Sequence, residues 1–356
     1  MNRENTYDII VVGMGPASSI FLKELTEGNY KTICLDKKNI DGEGFNKPCG
    51  GLLAPDAQKK LAELNLSLPL SVLVDPQIFS VKARDLRMDL EKYYQRFYMN
   101  MDRNKFDRWM MQNISKSIEV IDTAVVTSIQ KKDDQFFVTY LYDGKENTIS
   151  GKYLVGGDGS KSLVRKTFFP DRKIRQYVCI QEWYRTEEKS PSYMTIFDQE
   201  ITDSYGWLNY KGDHVIFGAA FHRVDSKGSF LKLKDKMIKE GHNFGELVKR
   251  EVCQVSSPRS VKELCYGDEN VFLIGEAAGF VSPSSLEGIS YAMESGHLLA
   301  EVFNKGGGSF EFYKNSLKPL RRKLFTKILK NKLLYTPRIR KLLMLSNIST
   351  IKINKS

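Results

Sequence analysis

The stretch Tyr7-Asp8-Ile9-Ile10-Val11-Val12-Gly13-Met14-Gly15-Pro16-Ala17-Ser18 decides the fold of this chain. Its first six residues form a nearly continuous run of apolar, mostly β-branched side chains, which predicts a strand buried on both faces in a parallel sheet. A glycine loop follows at once, and Ser18 to Thr26 supplies an apolar face for a helix. Lys31 to Asp36 then gives a second strand that ends in an acid. This order of elements predicts an α/β domain.

The glycine loop has the chemistry of a dinucleotide-binding site. Its two glycines let the backbone turn tightly and approach a pyrophosphate, and the helix that follows offers free N–H groups and a positive dipole end. The acid at position 36 is spaced to accept from ribose hydroxyls. A serine stands where a third glycine is usual, and a glycine turn in an ordinary α/β protein is the alternative. The residues predicted to hold the dinucleotide are Gly13, Gly15, Pro16, Ala17, Ser18 and Asp36.

Two later segments extend this pattern. Val120 to Ile129, Phe136 to Tyr142 and a third strand predict a β-meander that leads into Gly157-Asp158-Gly159. Further on, an apolar strand leads into Gly275-Glu276-Ala277-Ala278-Gly279. In this order the three glycine-containing segments resemble the flavoprotein superfamily that includes aromatic hydroxylases and geranylgeranyl reductases. The resemblance implies FAD as the cofactor and Asp158 as part of its site.

The resemblance assigns further residues to the cofactor. Gly275 and Glu276 occupy a Gly-Asp motif whose carboxylate accepts a hydrogen bond from the ribityl chain, and the extra methylene of glutamate requires that contact to shift or to pass through water. Gly288 and Ile289 begin a helix whose N-terminus faces the pyrimidine end of the isoalloxazine. Arg103 fits an arginine that leads into a helix beside the flavin, and a surface arginine at a helix start is the alternative.

The loop Lys47-Pro48-Cys49-Gly50-Gly51-Leu52 is similar to the Cys-Gly-Gly loop of geranylgeranyl reductases, which in that family lies near the flavin. Gly50 and Gly51 allow the backbone to approach a planar ring. The thiol of Cys49 is the predicted catalytic group, because it can contact or protonate a substrate, and a buried apolar cysteine beside a flexible turn is the alternative.

The segment Tyr205-Gly206-Trp207-Leu208-Asn209-Tyr210 is similar to the first half of that family's Tyr-x-Trp-x-Phe-Pro motif. Tyr205 and Trp207 are therefore predicted to bind substrate, and an aromatic strand of a sheet is the alternative. Asn209 and Tyr210 replace the aromatic residue and the proline, which indicates a more polar cavity or a differently shaped substrate.

These resemblances imply an FAD-dependent oxidoreductase that transfers a hydride from reduced flavin N5 to a carbon-carbon double bond of an apolar, isoprenoid or lipid-like substrate. Cys49 or a bound water supplies the proton. Only one dinucleotide fold is evident, so NAD(P)H or a reduced electron-carrier protein must donate electrons transiently. The alternatives are a flavin-dependent monooxygenase, acting as hydroxylase or epoxidase, and a membrane-associated flavin-binding protein without turnover.

The predicted fold class is α/β, or α+β over the whole chain. Residues 1–70, 102–165 and 266–304 are assigned to a Rossmann-like FAD-binding domain with a parallel sheet and a β-meander. Residues 71–101 and 166–265 are assigned to an antiparallel-sheet domain that binds substrate, and residues 305–356 to a basic helical segment at the C-terminus. Five cysteines and four histidines lack ligand spacing, so no metal is expected.

The net charge of +11 is concentrated in the tail, where Lys314 to Lys355 carries thirteen Lys and Arg and no acid. Nucleic-acid binding by the whole protein is therefore not expected. No run of 18 apolar residues occurs, and we expect a cytoplasmic protein. The basic apolar pattern from Lys318 onward, broken at Pro337, predicts either an interfacial segment at the inner face of an anionic membrane or a helix packed on the flavin domain.

Overall fold

A computed structural model describes residues 5–41, 47–346 and 350–351. Its helices in chain order are α1 Pro16–Glu24, α2 Pro55–Glu63, α3 Arg103–Gln112, α4 Leu163–Phe168, α5 Ser226–Lys239, α6 Ile289–Gly306, α7 Phe310–Ser316, α8 Lys318–Leu334 and α9 Pro337–Leu345. Its strands are β1 Thr6–Val12, β2 Thr32–Leu35, β3 Leu52–Leu53, β4 Ile78–Asp85, β5 Leu90–Asn100, β6 Glu119–Ile121, β7 Val125–Lys132, β8 Gln135–Tyr142, β9 Lys145–Gly156, β10 Gln176–Arg185, β11 Ser192–Phe197, β12 Gly206–Lys211, β13 His214–Phe221, β14 Leu247–Ser256, β15 Gly267–Asp268 and β16 Val271–Leu273.

The chain divides into two compact units. The first unit comprises Met1–Asn46, Asn104–Arg175 and Ser256–Ile328. The second unit comprises Lys47–Arg103, Gln176–Val255 and Leu329–Ser356. These boundaries differ from those expected from the sequence, chiefly because residues 47–70 lie in the second unit. There β3 pairs with β5, with Leu52 opposite Asn100.

The first unit has a mainly parallel sheet in the order β15-β16-β9-β1-β2-β6, and β7 and β8 extend from β9 as a meander. The strand β1 lies between β2 and β9, parallel to both. Its apolar side chains are buried, as expected for a central parallel strand. The expected strand from Val120 to Ile129 is divided into β6 and β7, because Thr123 adopts a positive φ of 53° between them. The glycine loop thus lies at the carboxyl edge of the sheet.

The second unit has a sheet in the order β14-β10-β13-β12-β11-β4-β5-β3. It is largely antiparallel, as predicted, although β11 and β4 run parallel. One face packs against α5 through an apolar cluster that includes Leu208, Phe217, Phe230 and Leu233. The alternation of β12 places Trp207, Asn209 and Lys211 on the opposite face. The sheet therefore has one apolar face and one face that carries buried polar groups.

The C-terminal helices do not form the separate segment predicted for residues 305–356. Leu320 and Leu324 of α8 join the apolar core of the first unit. In the second unit, α9 is held by a buried ion pair in which Arg340 Nε lies 2.6 Å from Asp85 Oδ2. Within the residues that the structure describes, no helix is long and apolar enough to cross a membrane.

Candidate cofactor and substrate sites

The glycine loop after β1 meets the second predicted motif directly. Gly13 has a φ of 89°, and a Cβ atom there would lie 2.7 Å from Asp158 Cα. A Cβ atom on Gly157 would overlap Ser18 Oγ. Only glycine fits either position without displacing backbone or a buried side chain. Gly13 and Gly157 are 144 residues apart in the chain. Their two segments nevertheless pack closely and form one backbone cradle.

Asp36 lies at the end of β2, where the sequence predicts it. Its carboxylate accepts hydrogen bonds from the N–H groups of Met14 and Lys38, the latter at 2.6 Å. The side chain is buried and fixes the shape of the glycine loop. Each oxygen keeps a second lone pair, so acceptance from ribose hydroxyls remains chemically compatible with this arrangement.

Asp158 and Ser18 both have a buried oxygen without a hydrogen-bond partner among the described residues. Asp158 Oδ2 accepts from the N–H groups of Leu163 and Val164 at the start of α4, at 2.6 and 3.2 Å. Its Oδ1 and Ser18 Oγ are the buried atoms left without partners. Burial also raises the pKa of Asp158. Buried polar atoms normally have partners, so this cradle fits a polar group that the protein itself does not supply.

Arg165 connects the second motif to the third. Its guanidinium donates to the carbonyl oxygens of Ala277 and Ser160, the latter at 2.7 Å. The third motif is in turn held by Gly275, whose N–H donates to Ser295 Oγ of α6 at 2.9 Å. Burial lowers the pKa of Arg165, and the nearby Asp158 carboxylate opposes this effect. All three glycine-containing segments are therefore joined in the first unit.

Glu276 has a protein partner that its sequence position does not indicate. Its Oε1 accepts from the N–H of Ser256 at 2.9 Å. An aspartate, one methylene shorter, would reach less far toward this N–H. The glutamate therefore holds the backbone at Ser256, and its predicted contact with the ribityl chain stays a prediction.

The remaining predicted cofactor residues open two helices. Gly288 is the N-cap of α6 and makes no side-chain capping bond, and the first turn, from Ile289, contains no acid. The free N–H groups and the helix dipole there favour a negatively charged partner. Arg103 opens α3 and is half-buried. In the same helix, Asp107 forms an ion pair with Lys38 at 3.0 Å.

The residues of the first unit fit FAD. A Cβ atom on Gly15 would meet only Gly157 O, at 3.9 Å, and one on Gly159 would meet nothing within 4 Å, so the loops are open at these two glycines. Asp158 and Ser18 have buried oxygens without partners among the described residues, and two uncapped helix starts offer N–H groups. Among the described residues, no group of three or more His, Cys, Asp or Glu side chains could hold a metal ion.

In the second unit, the Cys-Gly-Gly loop is held by side chains of the sheet. Four consecutive carbonyl oxygens of this loop each accept from a different side chain. The pairs are Cys253 Sγ with Pro48 O at 3.8 Å, Gln181 Nε2 with Cys49 O at 3.4 Å, Asn209 Nδ2 with Gly50 O at 3.3 Å, and Lys211 Nζ with Gly51 O at 3.3 Å. The loop is therefore fixed against the polar face of the sheet, and Gly50 and Gly51 lie in the second unit.

Lys211 is buried beside this loop. Besides Gly51 O, its ammonium donates to Asn100 Oδ1 at 2.7 Å and to Met101 O. Burial lowers its pKa to about 8, although the nearby Cys49 sulfur and Asp102 carboxylate act in the opposite direction. The sulfur of Cys49 accepts from the N–H of Gly51 at 3.4 Å. A cation and an N–H donor thus lie close to the predicted catalytic thiol.

The two predicted substrate residues lie in and beside β12. Tyr205 and Trp207 are buried and meet edge to face, with ring centroids 5.9 Å apart. The indole of Trp207 lies directly over Gly218 of β13. The Cys-Gly-Gly loop contacts the same strand through Asn209 and Lys211. The structure therefore brings the predicted catalytic and substrate residues to one face of one sheet.

A mainly parallel sheet with a glycine loop at its carboxyl edge, joined to two further glycine motifs, is typical of nucleotide-binding folds. The match to a family model agrees: the chain belongs to the FAD binding domain family, which matches residues 6–205. Protein CbrA of Escherichia coli O9:H4 (strain HS) is 45% identical over 347 residues, covering 97% of this chain and 94% of that protein. The expected cofactor class and flavoprotein superfamily are confirmed.

Solved structures share the fold. A geranylgeranyl bacteriochlorophyll reductase-like protein from Thermoplasma acidophilum superposes with a TM-score of 0.82 at 18% identity, covering 98% of this chain and 94% of that one. A probable FAD-dependent monooxygenase from Pseudomonas aeruginosa, pqsL, gives 0.68 at 14% identity, covering 95% and 100%. The same fold therefore occurs in a protein described as reductase-like and in one described as a probable monooxygenase. The α/β prediction is confirmed.

Sequence reasoning missed Lys211, Gln181 and Lys38. The alternation of Trp207, Asn209 and Lys211 in a β-strand pattern was a usable signal, since it places a lysine on the same face as the predicted substrate residue. No local signal links Gln181 or Lys38 to partners that are distant in the chain.

Proposed function

We propose that this FAD-dependent oxidoreductase reduces a carbon-carbon double bond of an apolar substrate. Reduced FAD, when bound, supplies the hydride that adds to one carbon. The Cys49 thiol gives its proton to the other carbon, so that one C–H bond forms and the S–H bond breaks. The N–H of Gly51 and the ammonium of Lys211 then stabilise the negative charge left on sulfur.

The observation that carries this proposal is the fixation of the Cys-Gly-Gly loop. Four side chains of the sheet hold its carbonyl oxygens, which restricts the backbone from Pro48 to Gly51. Proton transfer requires a donor held at a defined position relative to the reacting atom. A buried cysteine with only a packing role does not require such a set of contacts.

The first test separates reduction from oxygenation. Photoreduced holoenzyme is mixed anaerobically with a polyprenyl lipid, and separately with the same lipid and oxygen. The proposal predicts loss of the reduced-flavin spectrum without oxygen and a lipid product that has gained hydrogen. Incorporation of an oxygen atom, seen only in the aerobic mixture, would instead establish the monooxygenase alternative. If the lipid reacts in neither mixture, both the reductase and the monooxygenase hypotheses are contradicted.

A second test addresses the proton. Cys49→Ala is expected to lower the anaerobic rate by about 100-fold, the low end for loss of a general acid. Cys265→Ala is the matched control, because this thiol is buried in the apolar core of the first unit and is expected to leave the rate within about threefold. If Cys49→Ala and the wild type react at equal rates, Cys49 is not the proton donor and a water molecule protonates the substrate.

We further propose that α8 binds an anionic membrane surface. Three apolar side chains one helical turn apart are exposed, namely Phe325 by 50%, Leu329 by 44% and Leu333 by 51%. Beside them, a cleft of about 270 Å³ is lined by Val261, Lys318, Arg321, Arg322 and Phe325. Arginine pairs readily with phosphate, and apolar side chains next to basic ones are typical of interfacial helices.

Vesicle sedimentation tests this surface. Binding to phosphatidylglycerol vesicles is expected to fall steeply between low and high salt, and Arg322→Gln combined with Phe325→Ser is expected to weaken it about tenfold. Leu342→Ser alters an apolar side chain that is 70% exposed on α9, and it serves as the control. Equal binding to neutral phosphatidylcholine vesicles would contradict the proposal.

A further inference from the structure

Two buried polar atoms on the polar face of the second sheet have no hydrogen-bond partner among the described residues. They are Nε1 of Trp207 and Oδ1 of Asn209. The side chain of Asn209 is fully buried, and that of Trp207 is 9% exposed. The two residues are two positions apart on β12 and therefore project from the same face.

The other polar groups of this row are satisfied within the protein. Asn209 Nδ2 donates to Gly50 O, and this hydrogen bond sets the orientation of the amide. The amide oxygen, Oδ1, is then the atom without a partner among the described residues. The neighbouring indole on β10 differs from Trp207 in this respect, because Trp183 Nε1 donates to Glu251 Oε2 at 2.7 Å. Buried polar atoms cost free energy when they lack partners, so two of them together indicate a ligand that supplies both.

From this arrangement, and resting on the proposed function, we propose that Trp207 and Asn209 bind a hydroxyl group of the substrate, which is a neutral, apolar alcohol. The indole N–H can only donate, and the amide oxygen can only accept. A hydroxyl group accepts from the first and donates to the second. A plain hydrocarbon offers neither, and an ether or a carboxylate offers no donor.

The charge around the site also selects a neutral ligand. A lysine ammonium has three protons, and those of Lys211 are directed at Gly51 O, Asn100 Oδ1 and Met101 O. Lys211 therefore has no donor left for a phosphate or carboxylate. The free oxygen of Asn209 carries partial negative charge and disfavours an anion further.

The test is a binding series with the oxidised holoenzyme and no reductant. The probes are farnesol, farnesyl methyl ether and farnesyl diphosphate, measured by calorimetry. We expect farnesol to bind about tenfold more tightly than the ether, the effect of one hydrogen bond donated to a buried acceptor, and more tightly than the diphosphate. Equal affinity for alcohol and ether, or tightest binding of the diphosphate, would overturn the inference.

Two tryptophan variants sharpen this test. Trp207→Phe removes the unpartnered N–H and is expected to weaken alcohol and ether alike, about fivefold to tenfold, since both offer an acceptor oxygen. Trp183→Phe makes the same change where the N–H already has a partner, and should leave both affinities within about twofold. If both variants weaken binding equally, Trp207 does not contact the hydroxyl.

The series separates this inference from the proposed reaction. Tighter binding of farnesol without any anaerobic turnover would support the alcohol site and contradict the reductase. Anaerobic turnover with equal affinity for the alcohol and the ether would support the reductase and contradict the alcohol site. Because the ligand series is measured on the wild-type protein, it does not depend on whether a variant folds.

Discussion

The two units build their sites from different parts of the chain. In the first unit the cradle is made of backbone, where Gly13 approaches Asp158 Cα so closely that no side chain fits between them. In the second unit the Cys-Gly-Gly loop is held by side chains, and the contact of Lys211 with Gly51 spans 160 residues. A backbone site depends on glycine and tolerates few substitutions. A side-chain site can change its chemistry one residue at a time.

The largest expected effect is on the backbone site. Gly13→Ala places a Cβ atom against Asp158 at a residue with a φ of 89°, so both the clash and the backbone conformation oppose it. We expect loss of bound FAD and a destabilisation of about 3 kcal/mol or more. The measurement is the ratio of FAD to protein after gel filtration, together with thermal unfolding.

Gly28→Ala is the matched control for this variant. Gly28 has a φ of 78°, yet a Cβ atom there would meet nothing within 4 Å. It shares the backbone penalty, about 1 kcal/mol, without the clash, and FAD content should be unchanged. If both variants lost FAD equally, contact between the two motifs would not be what forms the cradle.

This contrast explains what the sequence could predict. The path from β1 through the glycine loop to Asp36 is local, and its apolar run and glycines have few other structural solutions. The partners of Asp36 and Glu276 were not predictable, because N–H groups of Met14 and Ser256 become neighbours only through loop packing. Residues 47–70 were assigned to the wrong side of the boundary for the same reason, since the pairing of Leu52 with Asn100 is non-local.

The side-chain site is tested by pH. The pKa of Lys211 is lowered by burial from 10.5 to about 8, so the folded protein binds this proton less tightly than the unfolded chain does. The resulting penalty is fully present below pH 8 and is relieved as the pH rises toward 10.5. Lys211→Met has no such proton. The wild type should therefore gain stability relative to the variant, on the order of 3 kcal/mol, across this interval.

Chemical denaturation of both proteins at a series of pH values measures this difference. The groups that face the ammonium are Cys49 and Asp102, along with the neutral oxygens of Gly51, Asn100 and Met101. Any effect of the substitution on unfolding free energy that does not depend on pH cancels when the difference between the two proteins is compared across pH values. A stability difference that does not change with pH would mean that Lys211 is not desolvated.

The smallest expected effect lies at the hydrogen bond between Ser256 and Glu276 in the first unit. Glu276→Asp shortens the carboxylate and weakens its hydrogen bond with Ser256 N–H. We expect a loss of about 1 kcal/mol in unfolding free energy with FAD retained. Glu146→Asp, the same change at an exposed position, should stay within about 0.5 kcal/mol. Loss of FAD from Glu276→Asp would instead assign the glutamate directly to the cofactor.

The proposed reduction can be checked directly from the mass of the product after one anaerobic turnover of photoreduced holoenzyme with farnesol. In the proposed reaction FAD is bound by the first unit, and Cys49 of the second unit donates the proton. The proposed reaction predicts a product that has gained two hydrogen atoms, in a yield that matches the bound FAD, and it predicts that Cys49→Ala forms this product about 100-fold more slowly. Unchanged farnesol, together with an oxygenated product when air is admitted, would contradict it.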